Sequence, residues 1–200
     1  MNAISICLMK RPWIAAIIVT TIFIVFRIIT ASQPDLANFT PIAALLFCGA
    51  ALWKSNRWML PTALVVWLIS SPIVNMIQGY PLHSATLVTL FGFAIVALIG
   101  LKFTSKSIAK LVLGTILAAS AFYLITNTVS FIVDPVYAKT LEGYIQCMWT
   151  GSPAHGGLPT WTFFRNSLIG NTIGTTLFLA SMSLPAIQKA TQFKLQQQAV

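Results

Sequence analysis

From Pro12 to Ile187 the chain is a succession of continuously apolar runs separated by short polar breaks. A helix of about twenty such residues crosses the roughly 30 Å hydrocarbon core of a bilayer. Away from water a helix is also the form in which one segment satisfies its own backbone hydrogen bonds. The runs do not alternate with period two, so a membrane β-barrel is excluded. Only 8% of the residues are charged and 57% are hydrophobic, whereas about a quarter of a soluble domain is charged. The expected fold class is all-α integral membrane, with six transmembrane helices in a single domain over residues 1–188. The spans fall at about 12–31, 39–53, 58–78, 85–103, 111–133 and 163–187, with an outer loop at 134–162 and a polar tail at 189–200.

The net charge of +9 is spread singly between the spans rather than gathered into a patch. It therefore reads as topology, not as a nucleic-acid surface. With six spans, Lys10, Arg11, Lys54, Arg57, Lys102, Lys106, Lys110, Lys189 and Lys194 share one side. Arg27, Lys139 and Arg165 fall on the other, with all three acids, Asp35, Asp134 and Glu142. Basic residues favour the cytoplasmic side, so both termini are expected there and the 134–162 loop outside.

Polar residues inside the spans are the candidates for function, because each is costly against lipid. Arg27, near the far end of the first span, is either a snorkelling side chain or an inward-facing ligand group. The second span is short for a crossing, which suggests a broken helix beside a cavity; Thr40 and Pro41 read as its opening, with Thr able to cap. Ser71, Asn75 and Gln78 form a stripe at the end of the third span, and Ser120, Tyr123, Asn127 and Ser130 form another on the fifth. Either these stripes bond helix to helix or they line a shared cavity beneath the outer loop, with Asn38 and Asn166 at its rim. In the sixth span, Gly170 and Gly174 form a GxxxG packing face.

Within the outer loop, Leu141, Tyr144, Ile145 and Met148 recur at helical spacing opposite Glu142 and Gln146, as in a helix lying on the bundle. Tyr137, Trp149 and Trp161 are either aromatic-belt residues or pocket walls. Glycines and prolines between Gly151 and Pro159 suit a lid. His83, His155 and Cys147 are all expected at the outer face, Cys147 within reach of labelling from outside. No catalytic motif is present, and Cys7, Cys48 and Cys147 have no metal spacing. The chain is accordingly expected not to be an enzyme and to hold no catalytic cofactor. An intramembrane enzyme using the histidines and Cys147, and a ligand-free structural protein, are the competing readings.

Several stretches together resemble a bacterial membrane family. They are Arg27 with Asn38-Phe-Thr-Pro-Ile-Ala-Ala-Leu-Leu-Phe-Cys-Gly-Ala50, Phe122-Tyr-Leu-Ile-Thr-Asn127, Tyr137-Ala-Lys-Thr-Leu-Glu-Gly-Tyr144, and Leu158-Pro-Thr-Trp-Thr-Phe-Phe-Arg-Asn166. The chain is similar over most of residues 20–180 to the substrate-binding S components of energy-coupling-factor (ECF) transporters. The resemblance implies a six-helix subunit of the bacterial cytoplasmic (inner) membrane that takes up a vitamin-like small molecule from outside, alone or with an ECF energising module. It implies a ligand site drawn from Arg27, Asn38, Ser71, Asn75, His83, Tyr123, Asn127, Tyr144, Cys147, Trp161, Arg165 and Asn166. Through similarity to solitary cobalamin transporters, it also implies cobalamin as the transported ligand, with His83 as an axial ligand of its cobalt. One departure is that Ser70-Ser71-Pro72 stands where many relatives carry an Asp.

Overall fold

The computed structural model describes residues 12–52, 59–79, 86–103, 107–155, 158–177 and 179. The described residues are helical and include no strand. Five long or central helices come first: α1 (Pro12–Ala31), α2 (Ile42–Ala51), α3 (Met59–Gln78), α4 (Thr86–Lys102) and α5 (Ile108–Val133). A short α6 (Leu141–Met148) and a last helix, α7 (160–177), complete the bundle. Single 3-10 turns sit at Pro34–Leu36 and Pro153–His155.

The long helices show the inverse of a soluble surface. Their outward side chains are large and apolar: Ile22 and Ile29 on α1, Leu68 and Met76 on α3, Leu87 and Leu98 on α4, Leu113 and Leu124 on α5, Ile173 and Leu177 on α7. An extended apolar exterior is the feature that marks contact with something other than water. Two helices, Leu60–Gln78 and Ile108–Val133, are long and apolar enough to cross a membrane.

At the centre stands α2, whose residues Ile42 to Ala50 are all buried. It packs on α3, α4 and α5, and small residues let those neighbours close in. A Cβ on Gly100 of α4 would lie 2.6 Å from the Phe47 carbonyl oxygen, and one on Gly114 of α5 would lie 2.3 Å from the Phe47 ring. Phe47 is fully buried and meets Phe103 edge-on at 5.2 Å.

The 10-residue α2 is about 15 Å long, half of a bilayer core. Its missing half is replaced by the segment between Ala37 and Pro41, which runs along α7. Asn166 Nδ2 donates to the carbonyls of Asp35 (2.7 Å) and Ala37 (3.0 Å). One and two turns further along α7, Gly170 and Gly174 meet Thr40 and Pro41. A Cβ there would approach the Thr40 nitrogen to 2.9 Å and Pro41 Cβ to 2.4 Å. The GxxxG face therefore packs against non-helical chain rather than another helix. Asn38 carries a left-handed φ of 61°, a conformation that Asn tolerates better than most residues.

Thr40 does not cap α2. Pro41 holds the N-cap position without a side-chain bond, and Asn171 of α7 supplies the acceptor instead, at 2.7 Å from the Ala44 nitrogen. Buried N–H groups in a first helical turn have no partner of their own within the helix, so this bond fixes where α2 begins.

Candidate functional site: a polar cavity over the end of α2

The space left by the short α2 is a cavity of about 350 Å³. Its floor is the start of α2, at Thr40, Ile42 and Ala43, and its walls come from α1, α3, α4, α5 and α7. Polar groups converge there from several elements: Arg27 and Asn38; Ser71, Asn75 and Gln78; Thr86 and Thr89; Tyr123, Thr126, Asn127 and Ser130; Ser167 and Asn171. Trp67, Phe93, Phe122 and Phe163 supply apolar wall. Three of these rings are already packed together, Trp67 edge-on to Phe93 at 5.4 Å and Phe93 stacked on Phe122 at 5.2 Å, which makes that side rigid.

Arg27 faces inward. Its Nη1 donates to Ser70 Oγ at 2.6 Å and to Ser71 Oγ at 2.9 Å. The two serines on α3 thus receive the guanidinium without neutralising it. Among the described residues Arg27 is the one charged side chain lining the cavity, and no carboxylate lines it. A side pocket of about 20 Å³ opens between Arg27, Thr30, Asn38, Thr40 and Gln78, large enough for a single water. Thr40 lines both spaces, and its Oγ1 is buried with no hydrogen-bond partner among the described residues.

Of the residues singled out in the sequence, Arg27, Asn38, Ser71, Asn75, Tyr123 and Asn127 come together around this space, with Gln78 and Ser130 from the same two stripes. Ser120 does not reach it and bonds back to the Ile116 carbonyl at 2.9 Å. Asn166 is buried beside the loop it braces rather than at the rim, with Oδ1 accepting from Arg165 Nε and Nη2. Exposed Arg165 lies 5.1 Å over Trp161, which stacks on Trp149 at 6.2 Å. None of Arg165, Trp161, Trp149, Tyr144 or Cys147 lines the cavity. His83 and the side chain of His155 lie outside the described residues.

The α6 segment is held to α5 by polar bonds and by the edge-on packing of Tyr144 on Phe131. Tyr123 donates its hydroxyl to the Met148 carbonyl, Cys147 Sγ donates to the Asn127 carbonyl at 3.4 Å, and the Tyr144 and Thr128 hydroxyls share a bond of 3.0 Å. Gly143 and Cys147 of α6 face inward, while Leu141 (75% exposed) and Ile145 (55%) point out. The expected apolar stripe is therefore split, with Tyr144 and Met148 half-buried, Tyr144 edge-on to Phe131 at 5.2 Å, and Leu141 and Ile145 outward. Cys147 is likewise not an accessible thiol. It is 1% exposed, burial pushes its pKa up, and Tyr137 bonds to it and is itself pushed up to about 12, mainly by burial.

Thr89, Thr126 and Ser167 are single polar residues in apolar sequence and carry no periodic signal, Thr40 reads in sequence as a cap rather than a cavity residue, and Asn171 only as part of the GxxxG stretch. Comparison with curated proteins and with solved structures returns no match. The chain matches the family model of DUF6580, a family of unknown function, over residues 8–194, and it belongs to that family.

Proposed function

We propose that this protein is a multi-pass protein of the bacterial cytoplasmic membrane that binds a vitamin-like small molecule in the cavity over α2 and takes part in its uptake. Six helices, α1 to α5 and α7, enter or cross the bilayer, with both termini cytoplasmic and the α6 segment outside. The observation that carries this reading is a polar cavity enclosed by an apolar exterior. Polar groups are costly within a membrane, and where they face a bundle interior around a cavity they mark ligand pathways. The half-length α2, continued by bent chain, is the geometry in which a membrane helix opens a binding site.

A role like that of an ECF S component, with or without an energising module, agrees with this architecture. A space of about 350 Å³ lies at the lower end of small-molecule pockets. It suits an ordinary vitamin better than a corrinoid, which is several times bulkier, so cobalamin is displaced as the leading ligand. The test uses Thr89→Trp, which fills the cavity from α4. Wild type and variant are purified from the same cells, and extracted small molecules are compared by mass spectrometry. A compound enriched on the wild type alone supports the reading; identical extracts at equal protein yield overturn it.

A further inference from the structure

We infer that the cavity selects a soluble organic anion, whose acid group sits between Arg27, Thr40 and the N-terminal end of α2. This deepens the binding role proposed above and rests on it.

Two independent features place positive potential at one corner, and a third adds an unpaired hydroxyl there. Arg27 puts a guanidinium against the cavity wall, anchored through one nitrogen by Ser70 and Ser71. A guanidinium presents several donors in one plane, a geometry matched to carboxylate and phosphate oxygens. Serine hydroxyls orient it without discharging it, and no carboxylate lines the cavity among the described residues. The start of α2, at Ile42 and Ala43, opens on the same space. A helix N-terminus carries the positive end of the helix dipole and favours an anion. Finally, Thr40 Oγ1 is buried without a partner beside Arg27. A buried hydroxyl left unpaired is costly, and a turn of the Thr40 side chain toward the cavity would give it an acid oxygen as partner.

The remainder of the molecule meets the opposite side of the cavity, where Tyr123, Asn127 and Ser130 of α5 supply neutral hydrogen-bonding groups. The site therefore distinguishes charge at one end and accepts uncharged polar groups at the other. An acid and its amide have nearly the same shape, so the discrimination between them isolates the charge.

The experiment uses the full chain in phosphatidylcholine nanodiscs, with native mass spectrometry reading bound adducts. Benzoate and benzamide are the probes, and Arg27→Gln, Arg27→Lys and Thr89→Trp are the variants. Wild type is expected to prefer benzoate by about tenfold, the scale of one charge-assisted hydrogen bond. The preference falls to about one in Arg27→Gln, partly survives in Arg27→Lys, and all binding is lost in Thr89→Trp. Equal binding of both probes to wild type, or an unchanged ratio in Arg27→Gln, overturns the anion assignment and leaves the binding role intact. Binding of neither probe to wild type overturns the assignment too; the extract comparison described above then judges the binding role on its own. A last arm adds phosphatidylglycerol to the discs. Its retention through Arg27, with no benzoate adduct, assigns the corner to a lipid headgroup and overturns a soluble anion.

Discussion

Asn171 Oδ1 accepts the backbone N–H of Ala44 at 2.7 Å, although 127 residues separate the two in sequence. Its Nδ2 is held in turn by the Ser167 carbonyl and hydroxyl at 2.8 and 3.1 Å. The amide is therefore oriented from its own helix and spends its oxygen on the first turn of another. The start of α2, and so the floor of the cavity, depends on α7.

Replacing Asn171 by Leu keeps the volume and removes the acceptor. The Ala44 N–H is then buried unpaired, at a cost of about 1–3 kcal/mol. Thermal unfolding in detergent should show a lowered Tm, with Asn171→Asp, which keeps an acceptor, less affected. An unchanged Tm in the Leu variant would mean that α2 starts where it does for other reasons.

Gly174→Ala places a methyl 2.4 Å from Pro41 Cβ. Overpacking of this kind costs about 1–3 kcal/mol and should push the 37–41 segment away from α7. The expected outcome is lower thermal stability together with weaker probe binding in the cavity. Retained stability and binding would show that the segment shifts freely.

Cys147 and Tyr137 both have raised pKa values in the fold. Each then contributes stability that is complete below its unfolded value, near 9 for the thiol and 10 for the phenol. That contribution is lost as pH rises through the folded values, about 12 for Tyr137. The Tm of the wild type should accordingly fall between about pH 9 and pH 12, and Cys147→Ala should flatten the lower part of that fall. At pH 8 the native thiol should resist iodoacetamide until the protein is denatured; rapid alkylation of the native protein would contradict its burial.

Orientation is read with exposed positions, because Cys48 and Cys147 are buried. Glu142 and Lys110 are exposed near opposite ends of α5. A membrane-impermeant maleimide applied to intact cells should label Glu142→Cys and not Lys110→Cys, both in a Cys7→Ser background. The reverse pattern would invert the bundle and close the proposed site to the outside.

The helices and most of their limits were legible because hydropathy is local: a run of apolar residues becomes a helix whatever its neighbours are. The apolar runs predict the third and fourth spans at 58–78 and 85–103, and the helices are Met59–Gln78 and Thr86–Lys102. The stripes of α3 and α5 were legible for a related reason, since a period of 3.6 puts Ser71, Asn75 and Gln78 on one face. The basic residues that set orientation lie largely outside the described residues, and there the sequence remains the argument.

Tertiary structure alone decided which polar groups meet. That α2 stops at half length depends on Asn166, Gly170, Gly174 and Asn171, more than a hundred residues downstream of it. Nothing local in Asn38-Phe-Thr-Pro41 says that it will descend beside α7. Arg27 and Ser70 are also far apart in sequence, by 43 residues, and their bond required α1 and α3 to be packed in one register. Conversely, Trp161, Arg165 and Tyr144 carry a strong signal by residue type, yet their side chains bond and stack within the α6 segment and its junctions with α5 and α7. A sequence records which side chains are costly to expose, because that cost is a property of each residue. Which cavity they share depends on distances between helices, and only the packed bundle contains those.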